Sequence, residues 1–148
     1  MTNNQINNLI FRQIENKDLP QVYKLLNQLK QMDLKSIDQD KAWGSFSNNS
    51  SSNSLVGVFD DKIVAYGSVV IENKIRGEVC GHIEDIVVDK NLRKNMVGIR
   101  LVKELINICE SKKCYRITLF CKEELINFYL RNGFKIDSIN MKKYLNKD

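Results

Sequence analysis

No stretch of this chain approaches the ~18 consecutive apolar residues of a membrane span. The opening MTNNQINNLIF also has neither the basic start nor the apolar run of a secretory signal. A cytoplasmic location is the resulting expectation. The four cysteines (Cys80, Cys109, Cys114 and Cys121) form no C-x-x-C pair. Zinc and disulfide readings therefore lose their usual signature, no metal is expected, and reduced, buried thiols are expected instead. A block of like charge is missing too: 23 Lys and Arg residues are interleaved with 18 acids, for a net charge of +5. No nucleic-acid tract results, whereas an anionic small ligand needs only a local cluster. The one histidine, His82, lies inside an apolar run and reads as structural rather than as a general base.

What is present suffices for one domain over 1–148. With 43% hydrophobic residues in 148, such a domain buries roughly 70% of its unfolded surface. Leu9 to Ile14 reads as a strand, and Asn16 or Asp18 can cap a helix that tolerates Pro20 in its first turn. Leu19, Val22, Leu25, Leu26, Leu29 and Met32 keep helical spacing through about Asp33. A short helix is expected around Gln39 to Phe46. The polar SFSNNSSSNS of Ser45 to Ser54 has little to bury and is expected to be a mobile inserted loop.

Strands follow at Leu55–Phe59, Ile63–Glu72 and Val79–Val88. Val97, Leu101, Leu105 and Ile108, flanked by Val102, Ile106 and Cys109, mark a helix with a wide buried face. Arg116–Cys121 reads as a strand and Glu123–Arg131 as a helix ending at Asn132-Gly133. Phe134–Ile136 and Met141–Tyr144 read as terminal strands.

The chemistry concentrates in Cys80–Leu101, CGHIEDIVVDKNLRKNMVGIRL. There a strand with two adjacent carboxylates runs through a basic turn into a helix. Such a helix N-terminus offers unpaired N–H groups and a positive dipole end to phosphate oxygens, with Arg93, Lys94 and Asn95 beside it. A basic turn before a helix is by itself more often a solvated connection than a ligand site, and with one glycine the motif is weak. Glu84 and Asp85, adjacent in a strand, should point to opposite faces. Inside an apolar run an unpaired charge is costly, so a specific partner is expected.

These segments taken in order resemble the glucosamine-6-phosphate N-acetyltransferase family of the GNAT superfamily. The quotable parts are FRQIENKDLPQVYKLLNQL (Phe11–Leu29), IENKI (Ile71–Ile75), CGHIEDIVV (Cys80–Val88), KCYRITL (Lys113–Leu119) and NFYLRNGF (Asn127–Phe134). GHIEDI is the most specific of them. The resemblance implies an α/β GNAT acyl-CoA N-acyltransferase fold, a mixed central β-sheet with splayed strands flanked by helices. It also implies acetyl-CoA as co-substrate, glucosamine 6-phosphate as acceptor in UDP-N-acetylglucosamine biosynthesis, and a homodimer with a shared sugar site and a crossing C-terminal strand.

By that resemblance, Glu84 and Asp85 hold and orient the sugar amine, and the backbone of Ile86, Val87 and Val88 aligns the pantetheine. Arg93, Lys94, Asn95, Met96, Val97 and Gly98 form the pyrophosphate turn. Met96 stands where the family has a glycine. At positive φ a methionine would cost about 1 to 2 kcal/mol, and a helical φ is expected because the helix pattern is strong from Val97 onward. Tyr129 would face the leaving sulfur. Because a phenol near pKa 10 is a weaker acid than a thiol near 8.5, by about 2 kcal/mol, it is read as a hydrogen-bond donor to the thiolate.

Lys74 matches the phosphate-contact position, and Arg76, Lys30 and Lys142 are further candidates for a sugar-phosphate clamp. Phe120 and Leu125 replace an acid and an asparagine of the family. Two alternatives remain: acetylation of a different amine, such as a peptide N-terminus, polyamine or aminoglycoside, or a non-catalytic module that binds acyl-CoA or nucleic acid. The cation cluster argues against polyamine; Tyr129 and the Glu84-Asp85 pair argue against the module.

Overall fold

The computed structural model describes residues 7–93 and 96–145. In chain order the elements are β1 (Ile10–Gln13), α1 (Leu19–Leu29), α2 (Gln39–Ser47), β2 (Ser52–Phe59), β3 (Lys62–Asn73), β4 (Val79–Val88), α3 (Val97–Ser111), β5 (Arg116–Leu119) and α4 (Ile126–Arg131). The five strands form one mixed sheet in the order β1-β2-β3-β4-β5. The first three pairings are antiparallel; β2–β3 and β3–β4 are hairpins, while α1 and α2 lie between β1 and β2. Only β4–β5 is parallel, and a parallel pair needs a crossover, which α3 supplies.

Each face of the sheet is closed by the helix whose apolar spacing fits it. Leu101, Leu105 and Cys109 of α3 pack with Val69, Ile71, Ile83 and Val88 on one face. Val22 and Leu25 of α1 pack with Val56, Tyr66 and Val87 on the other. α1 starts where Asp18, 3% exposed, accepts two hydrogen bonds from the Arg12 guanidinium at 2.6 and 2.8 Å and one from the Glu15 N–H at 2.8 Å. This bidentate grip ties β1 to the helix start. α1 stops at Leu29 rather than near Asp33, because Lys30 is already extended and the Met32 N–H is taken by the Asn27 side chain.

Two sequence expectations are overturned. Ser45–Ser54 is not a loop: α2 runs to Ser47, and β2 begins at Ser52, in register with Val70 of β3. Ser54 is fully buried. Its hydroxyl bonds to Tyr66 and Ser68, both at 3.0 Å, so its burial leaves no unmade hydrogen bond and its polarity predicted nothing about exposure.

The terminal strands at Phe134–Ile136 and Met141–Tyr144 are also absent. Residues 134–145 contain no strand, and Ile136, Ile139, Met141 and Leu145 stand open to solvent at 76–91% exposure. A strand needs a paired neighbour, and this segment pairs with none of the five described strands. No helix among the described residues is long and apolar enough to cross a membrane.

Arg12 holds the Asp18 carboxylate below its ordinary 3.8, chiefly by hydrogen bonding. A lowered folded-state pKa gives stability that is present above the unfolded value and lost as pH falls through the folded one. Asp18→Asn should therefore cost about 2 kcal/mol at pH 7 in urea unfolding, and the gap to wild type should close below about pH 3.8. A gap independent of pH would contradict the charged pairing.

Candidate active site at the open edge of the sheet

The parallel pairing of β4 with β5 runs from Cys80↔Arg116 to Ile83↔Leu119 and ends there. β4 continues to Val88 with β3 as its only strand neighbour among the described residues. The β5-facing edge of residues 84–88 is thus open backbone inside a sheet, a ready partner for any extended group with amides of its own.

A bulge marks the start of this edge. Ser68 pairs with Glu84 and Tyr66 with Val87, so Gly67 alone faces both Asp85 and Ile86. Asp85 takes φ 54°, which aspartate tolerates better than most residues. A Cβ on Gly67 would lie 2.9 Å from Ile86 Cδ1, so glycine is required where the bulge presses Ile86 toward α3.

The extra residue, with Asp85 at φ 54°, breaks the strict alternation on which the expectation of opposite-facing carboxylates rests. Glu84 lies across from Ser68 on the α1 face, and the Asp85 charge reaches Tyr66 on the neighbouring strand. The side-chain partner expected for these acids is also not found among the described residues. Both are exposed, and solvent removes the desolvation cost on which that expectation rested.

Beyond Val88, the Asp89 N–H bonds to Val64, Leu92 closes a turn on Asp89, and Arg93 Nε donates to the Val88 carbonyl at 3.2 Å. Lys94 and Asn95 lie outside the described residues. Met96 is left-handed, at φ 59° and ψ 11°, as the cap of α3, so the helical φ expected there is corrected. Its side chain is 59% exposed, so no packing forbids the conformation, and the reversal from turn into helix falls on this residue whatever its type. The first helical bond runs from the Arg100 N–H to the Met96 carbonyl, and no described side chain caps the N–H groups ahead of it.

α4 lies alongside. A 3-10 turn at Glu123–Leu125 leads into it, and Gly133 at φ 87° ends it, with Gly133 N–H bonded to Leu130 and Phe134 N–H to Tyr129. Tyr129 is buried, edge-on to Phe128 at 5.0 Å and to Phe134 at 5.9 Å. Burial, with a smaller contribution from Cys121, raises its phenol above the ordinary 10, so it is a protonated donor at neutral pH. Its hydroxyl makes no hydrogen bond to any described residue. The Phe128 ring reaches within 3.4 Å of a Cβ position at Gly98, which joins α4 to the start of α3. Phe120 and Leu125 are exposed nearby.

The four candidate cations fall into two groups. Lys30 and Lys142 stand over the same ring, Tyr144, at 5.9 and 5.7 Å. Lys74 is instead bound to Glu72 at 2.9 Å, Glu72 to His82 Nε2 at 2.7 Å, and His82 Nδ1 to Thr118 at 2.6 Å. Lys74 first, then His82, pulls the Glu72 carboxylate down to about 2. Arg76 is paired with Glu78 and donates to the Tyr115 hydroxyl at 2.8 Å. One chain therefore does not assemble the four-cation clamp.

Glu72 and Tyr144, which meet the candidate cations, and Thr118, bonded to His82, carry little signal in the sequence; Tyr144 alone has a local sign, lying two residues from Lys142. A cavity of about 160 Å³ lined by Ser50, Ser51, Ile71, Asn73, Val79 and Lys112 includes none of these groups.

Residues 19–134 match the family model described as the acetyltransferase (GNAT) family. Among curated relatives, the chain is similar to glucosamine 6-phosphate N-acetyltransferase 1 of Dictyostelium discoideum, 39% identical over 87 residues, 57% of this chain and 55% of the relative. It is also similar to the Arabidopsis thaliana glucosamine 6-phosphate N-acetyltransferase, 42% identical over 85 residues, 56% of this chain and 57% of the relative. The matched segment thus spans little more than half the length of these relatives. A crystal structure of glucosamine-6-phosphate N-acetyltransferase from Arabidopsis thaliana superposes with a TM-score of 0.84 at 32% identity, covering 93% of this chain and 99% of that one.

The left-handed Met96 gives a test. Met96→Gly removes a strain of about 1 to 2 kcal/mol and adds roughly 0.5 to 1 kcal/mol of unfolded-state entropy, so the variant should be more stable by about 0.5 to 1 kcal/mol. Denaturant midpoints measure this, and a destabilised variant would argue for a helical residue 96.

Proposed function

The chain belongs to the acetyltransferase (GNAT) family, and on that premise we propose that it moves an acetyl group from acetyl-CoA to the amine of glucosamine 6-phosphate, as one cytoplasmic domain. The observation that carries this reading is the open edge of β4, which leads from the carboxylate bulge into the turn before α3. Acetyl-CoA supplies the activated thioester. Backbone groups of Ile86, Val87 and Val88 extend the sheet onto its pantetheine arm. The uncapped N–H groups of Val97 and Gly98, with Arg93, Lys94, Asn95 and Met96 of the turn, receive its pyrophosphate.

Glu84 and Asp85 hold the sugar amine, which attacks the thioester carbonyl once it has lost its proton. A β4 backbone N–H stabilises the developing oxyanion. Tyr129 donates a hydrogen bond to the departing sulfur. Its raised pKa makes full proton transfer still less favourable than for a free phenol, so the thiolate takes its proton from solvent. Lys30 and Lys142 receive the sugar phosphate as point charges.

We propose further that two copies pair through the exposed apolar segment holding Ile136, Ile139, Met141 and Leu145. Pairing gives that segment an edge to join. It also gives the Lys74 and Arg76 turn a route to the Tyr144 end of another copy, which the split of the cations within one chain requires if all four serve one phosphate.

Coenzyme A release from acetyl-CoA, followed with glucosamine 6-phosphate and with plain glucosamine, tests the reading. Turnover confined to the phosphorylated sugar is expected; equal turnover of both would sink the clamp, and acetyl-CoA binding without turnover of either would sink the sugar assignment. Tyr129→Phe should lower kcat by about 10²-fold with little change in the sugar KM. Lys142→Ala should raise the KM for glucosamine 6-phosphate about fivefold and leave that for glucosamine unchanged.

A further inference from the structure

Beneath the carboxylate bulge lies a row of buried hydroxyls that the proposed mechanism does not use. Ser54, Ser68 and Glu84 are successive cross-strand partners on β2, β3 and β4, so they share the α1 face, and Tyr66 stands two residues before Ser68 on that face. Ser54 is fully buried, and Ser68 and Tyr66 are 7% and 9% exposed.

The proton of each hydroxyl can be followed. Ser68 Oγ donates to the Asn53 carbonyl at 3.2 Å, which can only accept. Ser54 Oγ donates its single proton to Ser68 Oγ at 3.0 Å. In the 3.0 Å contact between Ser54 Oγ and the Tyr66 hydroxyl, Tyr66 must therefore be the donor. The chain runs one way, Tyr66 to Ser54 to Ser68 to Asn53. The tyrosyl oxygen is left with lone pairs and no donor among the described residues.

The groups whose charge acts on Tyr66 are Asp85, from the bulge, and Tyr23, from α1. Neither is a cation. Asp85 likewise receives no hydrogen bond from a described side chain. A carboxylate at the bulge of β4 and, on the adjacent strand β3, a phenol oxygen whose remaining capacity is to accept form an arrangement that an N–H donor relieves. Burial first, and Asp85 in addition, raises the Tyr66 phenol above 10, so it keeps the proton it donates to Ser54 across neutral pH.

We propose that Tyr66 is a specificity-determining residue of this site: its oxygen, held as an acceptor by the Ser54–Ser68 chain, joins Asp85 in accepting hydrogen bonds from the substrate amine. The proposal rests on the amino-sugar reading above and deepens it. It explains how two exposed acids select an amine rather than any polar group, since a fixed third acceptor favours an ammonium or amine over a hydroxyl.

The test is equilibrium binding to the full chain by calorimetry, with coenzyme A present, of glucosamine 6-phosphate and of glucose 6-phosphate, which carries a hydroxyl in place of the amine. The ratio of the two affinities is the readout, and acetyl-CoA affinity is the control for folding. Tyr66→Phe, which keeps the ring and opens no cavity, should reduce the wild-type ratio about tenfold, with acetyl-CoA affinity unchanged. Ser54→Ala should reduce it in the same direction, because the freed Tyr66 proton then turns to Asp85.

A ratio within twofold of wild type in both variants overturns the proposal. So does loss of acetyl-CoA and sugar binding together in Tyr66→Phe, which would make Tyr66 a core group only. A wild type that turns over glucosamine 6-phosphate while both variants keep its ratio refutes Tyr66 alone. A wild type that binds neither sugar refutes the amino-sugar reading, and this proposal with it.

Discussion

Everything about the candidate site depends on β4 parting from β5 after Ile83 and Leu119. Had the parallel ladder continued, the N–H and C=O groups of residues 84–88 would be spent on β5, and the strand would be an ordinary core element. Because it stops, the same apolar run does two jobs. Its side chains fill both layers, with Val87 under α1 and Val88 under α3, while one edge of its backbone stays available. The bulge sits where the ladder ends, and bulges gather where pairing is terminated and a side chain must be re-aimed.

Two non-glycine residues in left-handed conformation bracket that edge: Asp85 at φ 54° and Met96 at φ 59°. Each costs of order 1 to 2 kcal/mol, and each lies where the chain changes task, from paired strand to open edge and from turn to helix. The surrounding packing over-determines both. Gly67 makes room for the bulge, and Val97, at 3% exposure, anchors the first turn of α3. The strain is therefore held by the core rather than relieved by it.

The polar groups around the site divide by what satisfies them. Glu72, His82, Thr118 and Lys74 form a closed chain of hydrogen bonds across β3, β4 and β5, so the charge of Lys74 is already answered. Glu84, Asp85 and the Tyr129 hydroxyl are answered by no described side chain. Solvent reaches both carboxylates, so their charge along the open edge carries no desolvation cost, and they remain available to a ligand.

The amino-acid order by itself determined the elements whose signal is local. The 3.6-residue spacing of Leu101, Leu105 and Ile108 specifies α3, Gly133 stops α4, and the apolar run Val79–Val88 makes β4, because period and capping act over a few residues. It also carried the Glu84-Asp85 pair, the basic turn and Tyr129 in their order. Only the tertiary structure decided the rest. Ser54 is buried because Tyr66 and Ser68 on the neighbouring strand β3 answer its hydroxyl. Asp85 leaves the alternation because Gly67 yields to α3. Met96 is left-handed because the turn must meet a helix already fixed by packing. Lys30 and Lys142 meet at Tyr144, while Lys74 and Arg76 do not, because the end of α1 and the segment after α4 are brought together only by long-range packing, which has no short-range trace in the sequence.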